Sequence, residues 1–218
     1  MTRTGIFLFT LCFVSAFSHA QSVFIPDSSF RIFLQLNYPS CMIGDSLNST
    51  CTAVAQETFL NVSDMEIYDL TGLEYFVGLD SLNCAYNEFS WIPAFPSSLT
   101  YINCNYNEFG VIPELPLGLK EFHCTSNSSL ITLPELPDQL TYLDIQSGQL
   151  ISLPPLPASL SYLRCSAQQL TFLPDLPDGL DTLNCRINGL TILPDLPDSI
   201  VYVNLSNNHL TSPPILPA

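Results

Sequence analysis

The chain has 218 residues, twenty of them Asp or Glu against five Lys or Arg, for a formal charge of −15 at pH 7. That balance works against nucleic acid and anionic membranes as partners, because both repel a polyanion. Hydrophobic residues make up 47% of the chain, too many for a disordered acidic tail and enough for a sizeable core.

At the start, Arg3, an apolar run from Ile6 to Phe17 and the small residues Ser18 and Ala20 read as a secretory signal cleaved before Gln21. Residues 1–20 are therefore set apart from the fold, and the mature protein is expected to be exported, extracellular or on the outer cell surface. The apolar run falls short of the ~20 residues a spanning helix needs, and Pro, Asp or Asn interrupts every later one. No direct membrane insertion is expected. Cys12 follows Thr10 and Leu11 rather than small residues, which does not suit a lipid anchor.

Residues 21–58 read as an N-terminal cap. Asp27 or Ser28 can cap a helix running through about Leu36, with Phe30, Phe33 and Leu34 spaced to form an apolar face. Cys41 and Cys51 lie in the same region. In an exported chain they are expected to form a disulfide, worth ~2–4 kcal/mol; the alternative is two free buried thiols.

From 59 to 218 one phrase returns, LxxLxCxxNxLxxLPxLPxx. Its copies begin at Leu79, Leu99, Leu119, Leu140, Leu160, Leu180 and Ile200, a period of 20 with a single 21 at Ser128-Ser129. A degenerate copy from Leu60 through Leu73 precedes them, which makes about eight rungs. Each phrase opens with a short alternating strand, such as Thr182-Leu183-Asn184-Cys185, whose apolar members face one way and polar members the other. Stacking these strands in parallel gives a solenoid in which neighbouring rungs supply each other's core. The Asn of each phrase can satisfy backbone groups in the turn after the strand and form a ladder with its copies; Gly148 and Gln168 are expected to break it. Two prolines in each return half, as in Leu193-Pro194-Asp195-Leu196-Pro197, exclude a helix and favour an extended, polyproline-like convex side.

This phrase resembles the short bacterial leucine-rich repeat with an LPxLPxxL return found in effectors of enteric pathogens. The segment from Phe24 through Phe30, together with Leu60-Asn61-Val62-Ser63 and Leu70-Thr71-Gly72-Leu73, resembles the front end of exported leucine-rich-repeat proteins of Bacteroidetes. The resemblance implies a curved horseshoe with parallel strands on the concave face and a small helical cap. Those exported relatives usually carry a C-terminal sorting or anchoring region, and some effectors a separate ubiquitin-ligase domain. The last phrase stops at Ala218 without a polar closing segment, so a longer protein is expected.

The polar strand positions form the candidate binding surface. One column holds Ser81, Tyr101, Glu121, Tyr142, Tyr162, Thr182 and Tyr202; the next holds Asn83, Asn103, His123, Asp144, Arg164, Asn184 and Asn204; Arg186 falls in a third. Tyrosine pairs a rigid apolar body with a polar tip, which suits recognition of a protein or a carbohydrate. It is also simply a good strand former. Arg164 and Arg186 could grip an acidic group or offset acidic neighbours. Ligand contacts are therefore placed on Tyr101, Tyr142, Tyr162, Tyr202, Arg164, Arg186, His123, Asn103 and Asn184.

Catalysis has no candidate constellation. His123 and His209 belong to no metal or hydrolase motif, and His123 and Cys124, adjacent on a strand, face opposite sides. Cys84, Cys104, Cys124, Cys165 and Cys185 share a column with Ile145 and Leu205, so the position asks for a medium apolar side chain rather than a metal ligand. The expected function is a non-catalytic binding module without cofactor or metal. A spacer or adhesin stalk, or the front part of an enzyme or effector with a further domain, are the alternatives.

Overall fold

The computed structural model describes residues 22–212; the signal segment and the last six residues lie outside them. The cap is a three-stranded antiparallel sheet, β1 (Ser22–Phe24), β3 (Ser46–Asn48) and β2 (Met42–Ile43), in the order β1-β3-β2. Helix α1 (Ser28–Asn37) packs Phe30 and Leu34 inward. Its N-cap is Asp27, whose carboxylate accepts Phe30 N–H at 2.8 Å with one oxygen and Tyr68 N–H at 2.8 Å with the other. This buried side chain therefore both starts the helix and ties it to the first rung. A short helix α2 (Thr52–Ala55) follows, and Cys41 and Cys51 are bonded with Cα atoms 5.4 Å apart.

Eight three-residue strands then stack into one parallel sheet in strict chain order: β4 (Phe59–Asn61), β5 (Ser81–Asn83), β6 (Tyr101–Asn103), β7 (Glu121–His123), β8 (Tyr142–Asp144), β9 (Tyr162–Arg164), β10 (Thr182–Asn184) and β11 (Tyr202–Asn204). From β5 onward the described residues hold no helix, in keeping with the paired prolines of each return. The core runs the length of the stack. Leu82, Ile102, Phe122, Leu143, Leu163 and Leu183 form one buried column, and Cys84, Cys104, Cys124, Ile145, Cys165 and Cys185 form the next. Phe89 and Phe109 stack inside, 6.1 Å apart.

Three residues past the end of each strand comes a residue in the left-handed region: Asp64, Tyr86, Tyr106, Ser126, Ser147, Ala167, Ile187 and Asn207, with φ between 54 and 60°. In five of the eight turns the next residue is an Asn, namely Asn87, Asn107, Asn127, Asn188 and Asn208, which the turn brings against the backbone of two rungs. Asn107 is representative. Its Nδ2 donates to Cys84 O at 3.0 Å in the preceding rung and to Cys104 O and Asn105 O, both at 3.2 Å, in its own; its Oδ1 accepts Phe89 N–H at 3.1 Å.

The expectation that Gly148 and Gln168 both interrupt this ladder holds only for Gly148. Gln168 donates to Ile145 O and accepts Leu150 N–H at 2.8 Å, the same two neighbouring-rung bonds that Asn107 makes. Its longer side chain does so through the space that Gly148 leaves: a Cβ on Gly148 would lie 2.9 Å from Gln168 Oε1 and 3.0 Å from Nε2. The two positions are thus one compensated unit. Gly148→Asn alone is expected to cost about 1–2 kcal/mol by displacing Gln168. Adding Gln168→Asn rebuilds two regular steps and should restore or exceed wild-type stability in urea unfolding. Purely additive single effects would mean that the positions are independent.

Candidate functional site

The strand registers set the two columns in line. Ser81, Tyr101, Glu121, Tyr142, Tyr162, Thr182 and Tyr202 are successive partners, as are Asn83, Asn103, His123, Asp144, Arg164, Asn184 and Asn204. Parallel in-register pairing keeps like positions one strand spacing apart, so rings in one column stack. Tyr142 and Tyr162 lie 4.3 Å apart and 8° from parallel.

The row does not stop at the acidic member of the column. Glu121 is exposed, and His123 from the second column fills the gap. Its ring lies 5.2 Å from Tyr101 and 4.7 Å from Tyr142. Tyr101, His123, Tyr142 and Tyr162 therefore form one continuous aromatic row over four rungs. His123 Nε2 is buried without a hydrogen bond, 3.6 Å from the Glu121 carboxylate.

Beside the row, Asp144 is buried and fully engaged. Thr125 Oγ1 donates to it at 3.0 Å, Gln146 Nε2 at 2.9 Å and Arg164 Nη1 at 3.3 Å. Burial, followed by the Asp144 charge, pushes the Tyr142 hydroxyl up to about 12, so its proton stays on as a donor at any physiological pH. Burial, followed by the Glu121 charge, also raises Tyr101.

Of the other proposed contacts, Asn103 uses its Oδ1 on the Asn105 amide at 3.2 Å. Asn184 accepts Ser166 Oγ at 2.8 Å. Arg164 pairs with Asp144 through Nη1 alone, whereas Arg186 stands exposed in the third column without an ion pair among the described residues. The arginines therefore do not act as a matched clamp. Tyr202 lies two rungs from Tyr162, with Thr182 between them.

Sequence reasoning missed a second stacked pair. Tyr86 and Tyr106 lie 4.4 Å apart and 9° from parallel, with 56% and 47% of their surface exposed. They occupy the left-handed position after the strand, which turns them outward. Their recurrence one period apart, each just ahead of a ladder Asn, was the available signal.

Among the described residues the five free thiols are buried; burial raises Cys84, Cys104 and Cys165 far above the usual thiol range and Cys185 to about 12, which keeps these four in the thiol form at neutral pH. Among the described residues no group of three or more His, Cys, Asp or Glu could hold a metal ion, and no helix is long and apolar enough to cross a membrane. Hollows on the convex side lie between proline-rich returns and are lined by carboxylates such as Glu114, Glu135 and Asp138, away from the aromatic row.

No family profile and no curated protein matches the chain. Solved structures do. YopM from Yersinia enterocolitica WA-314 is 38% identical over 65% of this chain and 31% of its own, with a TM-score of 0.63. YopM from Yersinia pestis, a leucine-rich effector protein, is 33% identical over 62% of this chain and 39% of its own, with a TM-score of 0.60. A Shigella effector leucine-rich-repeat domain is 25% identical over 73% of each chain, with a TM-score of 0.62. The chain thus spans between about a third and two fifths of the two YopM chains it matches. On its strand order and these neighbours, the protein is built as a leucine-rich-repeat solenoid that resembles the repeat regions of bacterial effectors.

Proposed function

We propose that this protein is an exported, non-catalytic recognition module that binds a protein partner through its concave strand face. The observation that carries the reading is the aromatic row Tyr101–His123–Tyr142–Tyr162. Rings already held in place by stacking lose little freedom on binding, so their apolar area and hydroxyl tips go into affinity. The effector repeat structures support an interaction role in general terms. The Cys41–Cys51 disulfide and the segment before Gln21 support export, because such bonds persist in oxidising surroundings. Secreted protein whose measured mass begins at Gln21 is the check on that part.

The binding test is a screen of surface and secreted proteins with the mature chain, with Tyr142→Ala/Tyr162→Ala as the control. Loss of two anchoring rings is expected to weaken a genuine partner on the order of 100-fold. A partner held equally by both forms would place recognition elsewhere, for instance at Tyr86 and Tyr106. A folded protein that captures nothing would favour the spacer role.

A further inference from the structure

The tyrosine column has one vacancy with a wall on each side. Tyr162 and Tyr202 stand two rungs apart, and the intervening position is Thr182, whose side chain is too short to fill it. Tyr162, Arg164, Thr182, Asn184 and Tyr202 line a hollow of about 350 Å³. Two rungs separate the walls by about 9.6 Å, so a ring placed midway would lie roughly 4.8 Å from each, within the 4.5–7 Å range of favourable aromatic pairs. The neighbouring Tyr142–Tyr162 pair, 4.3 Å apart at one rung's separation, is the same contact already made within the molecule.

The floor of the hollow has its own chemistry. In a chain of charge −15, none of these five lining residues is a carboxylate. Among the described residues, Arg164 gives Nη1 to Asp144 and makes no hydrogen bond through Nε or Nη2, and Asn184 accepts through Oδ1 while its Nδ2 finds no acceptor. Tyr202 lines the hollow and its hydroxyl accepts from Asn204 Nδ2 on its own strand at 3.5 Å. Aromatic walls over a floor of unused donors fit a flat ring that arrives with an acceptor.

Resting on the reading of the concave face as a protein-binding surface, we propose that the space between Tyr162 and Tyr202 is a slot for an aromatic side chain of the partner, flanked in the partner's sequence by a carboxylate that Arg164 and Asn184 receive. The inserted ring completes the tyrosine column, and the flanking acid is drawn to the one basic group on the slot floor.

The test uses the mature protein and three peptide probes, Ac-Glu-Trp-Glu-NH2, Ac-Lys-Trp-Lys-NH2 and Ac-Glu-Leu-Glu-NH2, followed through the NMR signals of the Thr182 amide and the Asn184 side-chain amide. The first probe should shift both signals and bind at least fivefold more tightly than the other two. Thr182→Tyr fills the vacancy with a ring that has stacking partners on both sides; it should keep the fold and weaken the first probe at least tenfold. Tyr202→Ala, at an exposed wall, should weaken it as well. Equal binding of all three probes, or unchanged binding to Thr182→Tyr, overturns the slot. Once a protein partner is in hand, one lost to Tyr142→Ala but indifferent to Thr182→Tyr overturns the slot and leaves the concave-face reading standing, whereas one indifferent to both overturns the two together.

Discussion

Asn107→Ala should destabilise the protein by about 3 kcal/mol, with a large fall in the urea midpoint. The side chain is 5% exposed, and its amide satisfies groups in two rungs at once. Truncation leaves the Phe89 N–H and the Cys84 carbonyl without that partner, in a region where water does not replace it. Asn208, half-buried with the same pattern of bonds, should cost clearly less when replaced by Ala. Equal losses at the two positions, or a loss under about 1 kcal/mol at Asn107, would mean that the ladder contributes little net stability.

The second large effect is expected at the joint between cap and repeats. Gly78 lies just ahead of β5, and a Cβ there would stand 2.7 Å from the Ala55 carbonyl and 3.5 Å from that of Glu57. Both are backbone atoms, which cannot rotate out of the way as a side-chain end can. Gly78→Ala should therefore cost about 3 kcal/mol and loosen the cap from the first rungs. Hydrogen exchange should show faster opening of β4 and α1 than of β8 and β9. Uniform acceleration along the whole array would contradict a local joint.

Much of this architecture is visible in the sequence because a repeat states each rule several times. A column of Leu82, Ile102, Phe122, Leu143, Leu163 and Leu183 can only be a core position. Asp27 ahead of Phe30, Phe33 and Leu34 marks a helix start, and the same spacing argument places the Tyr column on the exposed side. What escaped detection depends on reach rather than on pattern. Gln168 replaces a ladder Asn because one more methylene carries its amide across the room left by Gly148. His123 belongs to the second column by register but joins the first by leaning between Tyr101 and Tyr142. Tyr86 and Tyr106 turn outward because the backbone is left-handed at their position. No alternation rule for strands contains that fact. The small antiparallel sheet of the cap, held by β3 between β1 and β2, is likewise built from contacts too short to leave a periodic trace.

The strand registers pair residues twenty to twenty-two positions apart, and every strand bonds only to the copies next to it. A barrel must return to its first strand after a fixed number of steps, whereas this sheet has no such closure condition. Unequal recombination between two similar phrases would therefore add or delete a rung as a whole unit and leave each surviving strand beside a neighbour of the same kind. The breadth of the recognition surface becomes a matter of how many repeats the gene carries, able to change in a single genetic event while the side chains that line it stay as they are.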